Sequence, residues 1–256
     1  MDWKDKVVFL TGASSGIGEG LALALAQRRA VLGLVARRRE QLAKLAKACE
    51  AKGATAFVYA CDVTDAKALQ EAAEGMRREF GHIDIMIANA GVSGADEATR
   101  AYDPEGVRNV IDINLLGAVN AVHAVLPKML ERGSGQLVAI SSLAGIRGLP
   151  RSAAYSASKA GMTAFFESVR IDTLGKGIDV TIIQPGFIET PLTAGRTHNM
   201  PFLMKLDDAI PHFIKAIEKK KKFASFPFQL ASIVRMGKVF PAWLYDRIAS
   251  RARYRE

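Results

Sequence analysis

The chain has 256 residues, 49% of them hydrophobic, and carries 35 Lys plus Arg against 26 Asp plus Glu, for a net charge of +9. That length and apolar content suffice for the buried core of one α/β domain and exclude a disordered chain. Two cysteines, Cys49 and Cys61, are too few for a disulfide framework or a zinc site.

No run of eighteen uncharged apolar residues occurs, so no membrane-spanning helix is expected. Met1-Asp2-Trp3-Lys4-Asp5 lacks the basic and apolar regions of a signal peptide, which makes a cytoplasmic protein the expectation. The charge is unevenly placed: residues 1–195 balance to +1, whereas residues 196–256 carry +8. A generic nucleic-acid surface would spread over the domain, so no nucleic-acid partner is expected.

In chain order, the apolar run Lys6–Leu10 stops at a glycine-rich turn, Thr11 to Gly18, and an apolar helical pattern follows over Leu21–Arg29. Val31–Ala36 is a second apolar run, followed by the charged helical pattern Arg38–Lys52. Phe57–Cys61 is a third, followed by a helical stretch over Asp65–Glu79. Ile83–Ala88, Gln136–Ile140 and Val180–Gln184 repeat the theme. Short apolar runs alternating with amphipathic helices predict strands buried on both faces of a parallel sheet, in a doubly wound α/β fold with right-handed crossovers. No linker or internal repeat divides the chain, so one domain over 1–256 is expected.

Ligands of such sheets sit at the carboxyl ends of the strands. The first end reads Thr11-Gly12-Ala13-Ser14-Ser15-Gly16-Ile17-Gly18, whose glycines permit a tight turn and whose following helix offers free N–H groups to a pyrophosphate. The same residues satisfy the G-x-S-x-G pattern of a hydrolase nucleophile elbow. That motif belongs on a central strand with an acid and a histidine downstream, and His82, His123, His198 and His212 have no catalytic context. At the end of the second strand a carboxylate would accept bonds from an adenosine ribose. Here stand Arg37 and Arg38, suited to clamp a 2′-phosphate, which predicts NADP(H) over NAD(H).

Tyr155 and Lys159, at i and i+4, share one face of a predicted helix, and a nearby ammonium favours the phenolate. The strand Gln136–Ile140 delivers Ser141 and Ser142 just upstream; Ser142, thirteen residues before the tyrosine, is the better placed to hold a carbonyl oxygen.

Together these elements make the chain resemble the short-chain dehydrogenase/reductase family. The matching residues are the Thr11–Gly18 turn, Asp62-Val63, Asn89-Ala90-Gly91, Asn114, Ser142, Tyr155 with Lys159, and Pro185-Gly186 through Thr190, over roughly residues 5–195. The resemblance implies a Rossmann-type sheet of about seven strands and hydride transfer between a nicotinamide and a carbonyl or secondary alcohol, without metal. It further implies that Tyr155 donates or accepts the proton, that Lys159 lowers its pKa and binds the nicotinamide ribose, and that Ser142 orients the substrate oxygen. Asn114 would maintain a water-linked path to Lys159. Gly12, Ser14, Ser15, Gly16, Ile17 and Gly18 would cradle the cofactor. Asp62 and Val63 would hold its adenine, although Asp62 could equally cap the following turn. Asn89, Ala90 and Gly91 would flank its adenosine side. Pro185 and Gly186 belong to the same set, and Ile188 and Thr190 would contact the carboxamide. A homodimer or homotetramer is implied, packed through the helices that carry Asn114 and Tyr155. A non-catalytic NADP(H)-binding regulator or membrane-associated protein on the same fold is the alternative.

After Thr190 the chain offers Leu192, Met200, Pro201, Phe202, Leu203, Met204 and Leu206, expected to cover a lipophilic ketone, ketoacyl compound or alcohol. A helix begins at Asp207 and ends in Lys219–Lys222. Leu230, Ile233, Val234, Gly237 and Phe240 share one helical face, and Pro241 opens a last helix with Trp243, Leu244, Tyr245 and Ile248, followed by Arg247, Arg251, Arg253 and Arg255. Packing against the domain or a sister subunit, and peripheral attachment of 223–256 to an anionic membrane, are both open for this tail.

Overall fold

The apolar runs become strands because a parallel sheet covered on both sides has no solvent-facing positions to fill. The computed structural model describes residues 1–93, 103–194 and 200–251, the last without its side chain. Seven parallel strands form the sheet: β1 Val7–Thr11, β2 Val31–Ala36, β3 Thr55–Ala60, β4 Ile85–Ala88, β5 Gly135–Ile140, β6 Ile178–Pro185 and β7 Phe223–Phe226. Their spatial order is β3-β2-β1-β4-β5-β6-β7, so the winding direction reverses between β1 and β4. The helices are α1 Gly16–Ala26, α2 Arg39–Glu50, α3 Ala66–Phe80, α4 Pro104–Ile111, α5 Gly117–Arg132, α6 Ala153–Asp172, α7 Leu206–Glu218, α8 Phe228–Val239 and α9 Ala242–Arg251.

Alternate residues of each strand serve the two halves of the core. Val8 and Leu10 pack with Leu21, Leu42 and Phe213 on the α1–α2–α7 face. Val7 and Phe9 pack with Leu69, Val125 and Phe166 on the α3–α5–α6 face. The α4–α5 run is apolar enough for a mean hydropathy of 1.5, yet half of it is buried inside the protein, as befits a core helix. A π-helical segment, Asp112–Leu116, interrupts that run.

Six strands fall where the apolar runs predicted, with ends displaced by one or two residues. The seventh, β7, escaped the pattern because Phe223-Ala224-Ser225-Phe226 is short and directly follows a lysine run. Its pairing has a large consequence. Because β7 is parallel to β6, with Ile182 opposite Phe223 and Pro185 opposite Phe226, the chain leaves it at the carboxyl edge of the sheet. Lys219–Lys222 therefore lie at the amino edge, where Lys220 pairs with Asp179 at 2.6 Å, and α8 starts at the opposite end.

The reversal point is stapled by side chains. The buried Thr11 hydroxyl donates to the Ile87 carbonyl at 3.3 Å and accepts from the amides of Asn89 and Ala90 at 3.1 and 3.2 Å. Asn89 Nδ2 returns bonds to the carbonyls of Thr11 and Gly12, both at 3.1 Å. Thr11→Val keeps the shape and orphans two amides, so it should cost about 1–3 kcal/mol in urea unfolding, whereas an unchanged midpoint would show the staple to be dispensable.

Candidate active site

The staple fixes where the glycine-rich turn begins. Gly12 has φ +65°, and a Cβ there would sit 2.6 Å from the Ala90 Cα. Gly16 has φ +58° and opens α1, while a Cβ on Gly18 would meet the Gly12 carbonyl at 2.2 Å. Ser15 precedes α1 without capping it; its hydroxyl instead accepts from Arg38 Nη2 at 2.8 Å. The first-turn amides of α1 thus have no side-chain cap and point to the mouth of the turn, the setting for a bound anion.

The turn forms one wall of a cavity of about 1220 Å³. Of the candidate residues, Gly12, Ser14, Ser15, Gly16, Ile17, Asn89, Ala90 and Gly91 line it at the β1–β4 reversal. Arg37, Arg38, Asp62 and Val63 line it at one end, and Ser142, Tyr155, Lys159, Pro185, Gly186, Ile188 and Thr190 at the other. Gly18 and Asn114 do not reach the wall. Gly18 is there to let α1 approach Gly12, and Asn114 is fully buried behind the site.

At the first end, Arg38 lies across the turn and donates to the hydroxyl and carbonyl of Ser14 as well as to Ser15. Arg37 stands 3.6 Å from the Asp62 carboxylate. Asp62 accepts from the Thr64 amide and hydroxyl at 3.0 and 2.9 Å, so it caps its turn while also lining the cavity. The capping reading of Asp62 is the one its bonds show.

At the other end, α6 presents Tyr155, half-buried, and Lys159, 4% exposed. Lys159 Nζ lies 5.9 Å from the centre of the Tyr155 ring and donates to the Ile140 carbonyl at 2.8 Å. Burial pulls its pKa down to about 8. The two serines after β5 separate cleanly. The Ser141 hydroxyl is spent on α6, reaching the Lys159 carbonyl at 3.0 Å and the Thr163 hydroxyl at 2.8 Å. Ser142 Oγ accepts from the Ala144 amide, at 3.1 Å, and the residue lines the cavity. Asn114 sits in the π-helical segment, donates to the Val92 carbonyl and Ser158 hydroxyl, and accepts from the Val92 amide. Its amide ties the exit of β4 to α6.

The expected cover needs correction. Leu192 and Pro201 line the cavity, but Met204 pairs with Ile188 and Leu206 opens α7 against the core. Met200, Phe202 and Leu203 stay off its wall, the last two exposed. The cover comes instead from the C-terminal helices, because β7 delivers α8 to the carboxyl edge of the sheet. Leu230, Ile233, Val234, Gly237 and Phe240 line the cavity with Tyr245 and Ile248 of α9. Within the C-terminal segment His198, Arg253, Arg255 and the Arg251 side chain lie outside the described residues. The three described histidines lie away from the cavity: His82 beside Asp84, His123 on Gln70, and His212 stacked on Phe226. The hydrolase pattern therefore finds no histidine beside Ser14 among the described residues.

Sequence reasoning missed Arg147, which lines the cavity from the segment between Ser142 and Tyr155. Its Nη1 donates to the carbonyls of Gly237 and, at 3.0 Å, Phe240, where α8 ends. Its guanidinium lies 3.7 Å from the centre of the Tyr245 ring, and the Tyr245 hydroxyl donates to the Gly148 carbonyl at 2.6 Å. The partners are about ninety residues apart in sequence, and no local pattern announces them.

The comparisons agree with this geometry. A family model described as short chain dehydrogenase matches residues 6–201. The chain belongs to the short-chain dehydrogenase family. It is similar to an uncharacterized oxidoreductase of Myxococcus xanthus, 46% identical over 97% of this chain and 98% of that one. It is 38% identical to an 11-beta-hydroxysteroid dehydrogenase of Pinus massoniana over 76% of this chain, a span that makes up 54% of that relative. It is 33% identical to the ketoacyl reductase HetN of a Nostoc strain over 84% of this chain and 76% of that one. Among solved structures, an NAD+-bound xylitol dehydrogenase superimposes with a TM-score of 0.80 at 26% identity, covering 89% of this chain and 99% of that one. This short-chain dehydrogenase is thus an NAD(P)-dependent oxidoreductase, and its glycine turn, uncapped α1 and long cavity fit a nicotinamide dinucleotide.

Arg147→Leu should loosen α8 and α9 selectively. Hydrogen exchange over 228–251 is expected to speed up about tenfold, matching loss of a charge-assisted bond, while β1, β4 and β5 stay protected. Unchanged exchange would show that the latch is not what holds the cover.

Proposed function

We propose that this short-chain dehydrogenase is an NADP(H)-dependent reductase of lipophilic carbonyl compounds, acting through Ser142, Tyr155 and Lys159. The observation that supports the reading is that these three side chains line a cavity that is also lined by the glycine-rich turn and two guanidinium groups.

A bound nicotinamide would supply or accept the hydride. The chain's own residues manage the proton and the carbonyl. Ser142 donates its hydroxyl to the substrate oxygen, and Tyr155 delivers the proton to the alkoxide as it forms. Lys159, while protonated, favours the phenolate that Tyr155 leaves behind. Its Nζ is buried against Ile140, so the ammonium acts without much screening by water. Asn114 is a positioning residue, holding Val92 and Ser158 around that ammonium.

Preference for NADP(H) is supported by Arg38, whose N–H groups now rest on neutral serine oxygens that a 2′-phosphate can replace, and by Arg37 beside it. Strand β2 ends at Ala36 with no carboxylate to repel that phosphate. A lipophilic substrate is supported by Leu143, Phe187, Leu192, Leu230, Val234 and Phe240 around the far end. A homo-oligomer would use the α5–α6 side, where Leu116 and Ile171 are exposed.

Four measurements test this. Tyr155→Phe should bind NADPH with near-normal affinity yet lose at least about a hundredfold in ketone reduction; near-normal turnover would refute the assignment. The Arg37→Ala/Arg38→Ala protein should lose about 2–3 kcal/mol of NADPH binding and little NADH binding by titration calorimetry. Equal efficiency of the wild type with both cofactors would defeat the preference. The ammonium with a pKa of about 8 must be protonated during reduction, so kcat/KM should be level below pH 8 and fall above it, and a flat profile to pH 10 would count against Lys159.

A further inference from the structure

One face of α8 covers the cavity; the other is apolar and faces outward. At 100° per residue Phe228, Ser232, Met236 and Val239 share the side of α8 opposite Leu230, Val234 and Gly237. Phe228 is 79% exposed, Val239 80%, Met236 58% and, at the start of α9, Trp243 69%. Ile233 and Ile248 both line the cavity and are themselves about half exposed, so apolar side chains extend from this outward face, past Gln229, Ser232 and Arg235, to the mouth. Large side chains in such a contiguous group are uncommon on a face meant for water alone.

Charge selects the occupant. Residues 223–256 hold six cations and two acids, and Arg235, Lys238 and Arg247 are exposed among the described ones. A second copy docked face to face would set these cations against each other, whereas an anionic surface would neutralise them. The run Lys219–Lys222 takes no part, since β7 separates it by the length of the sheet.

We propose that α8 and α9 dock on an anionic lipid bilayer, with the mouth of the cavity turned toward the acyl region. The apolar side chains enter the interface, the flanking cations meet lipid phosphates, and the cover stays folded. That the bilayer then feeds the cavity rests on the lipophilic-carbonyl reading; the docking itself does not.

The full chain is mixed, without substrate, with vesicles of phosphatidylcholine alone or with about 30 mol % phosphatidylglycerol, and the bound fraction is read by sedimentation. Trp243 reports independently, because the other tryptophan, Trp3, is buried and bonded to Glu218. Anionic vesicles should bind the protein and shift Trp243 emission to the blue, neutral ones should bind it weakly, and about 0.5 M salt should release it. Phe228→Ser/Val239→Ser, neither of which lines the cavity, should lower partition about tenfold and leave turnover of a small water-soluble ketone unchanged without vesicles. Absence of binding to anionic vesicles, or equal binding by the double variant, would overturn the proposal. So would a concentration-dependent dimer that the double variant abolishes without any vesicle binding, since a second copy would then be the occupant. Lost ketone reduction with intact vesicle binding would instead strike the proposed activity alone.

Discussion

The burial of one lysine organises the reactive end of this enzyme. An ammonium taken out of water costs several kcal/mol unless the protein supplies compensating groups. Lys159 receives one such group, the Ile140 carbonyl at the last residue of β5. The elements around it are packed to match. A Cβ on Gly145 would sit 2.7 Å from the Lys159 carbonyl carbon, so the short turn after Ser142 can lie directly on α6 only because that position is glycine. Ser141 bonds the Lys159 carbonyl, and a Cβ on Gly91 would stand 3.5 Å from Nζ. Strand end, turn and helix therefore converge on one residue: Gly145 and Ser141 meet its backbone, and the Ile140 carbonyl and Gly91 meet its ammonium. The incomplete compensation is visible in the pKa of about 8, which leaves the ammonium ready to gain stability from any negative charge that develops beside it.

The same logic of edges explains the distribution of charge. Net charge alone speaks to solubility and partners, not to chemistry. Once β7 is placed, the C-terminal surplus divides between the two ends of the sheet. The lysines that follow α7 complement its dipole, and Lys220 pairs with Asp179, at the end remote from the cavity. The cations of α8 and α9 lie at the end where the cavity opens. A sequence count merges these two groups; a single parallel strand four residues long separates them.

How much was legible follows from how local each signal is. The turn at Thr11–Gly18, the Tyr155–Lys159 spacing and the strand before Ser142 are encoded within a few residues, and Gly12, Ser14, Ser15, Gly16, Ile17, Ser142, Tyr155 and Lys159 line one cavity. The choice of Ser142 over Ser141 rested on spacing alone; the bonds from Ser141 to Lys159 and Thr163 are consistent with it but were not legible in the sequence. Asn114 and Asp62 were recognisable, but not their partners, because Val92, Ser158 and Arg37 are brought in by the fold. The cover was misplaced for the same reason. Apolar residues after Thr190 resemble a cover in sequence, yet Met204 is consumed by pairing with Ile188. The apolar face of α8 was visible as a face, without any sign of what it faced.

That cover is attached in a way that suits opening. Leu230 and Ala231 are the buried residues of α8, and with Leu143 they form a small cluster separate from the two halves of the main core. Gly186 permits this contact, since a Cβ there would meet Leu230 at 2.7 Å. Polar contacts add to this hold: Arg147 on the carbonyls that end α8, stacked on Tyr245, with Tyr245 on Gly148 and Arg235 on Ser225. A cover held by a few apolar contacts and a partly exposed guanidinium opens at less free-energy cost than one continuous with the core. The guanidinium also suits the task better than an ammonium, because its planar face and several N–H groups serve the ring and two carbonyls at once. Since Arg147 lies in the segment that links Ser142 to Tyr155, closure of the cover and alignment of the reacting hydroxyls draw on the same short stretch of chain. On the proposed roles of Ser142 and Tyr155, contacts made by the apolar end of a ligand to α8 and α9 would reach the reacting hydroxyls through that stretch, which would make their binding energy available to the chemistry.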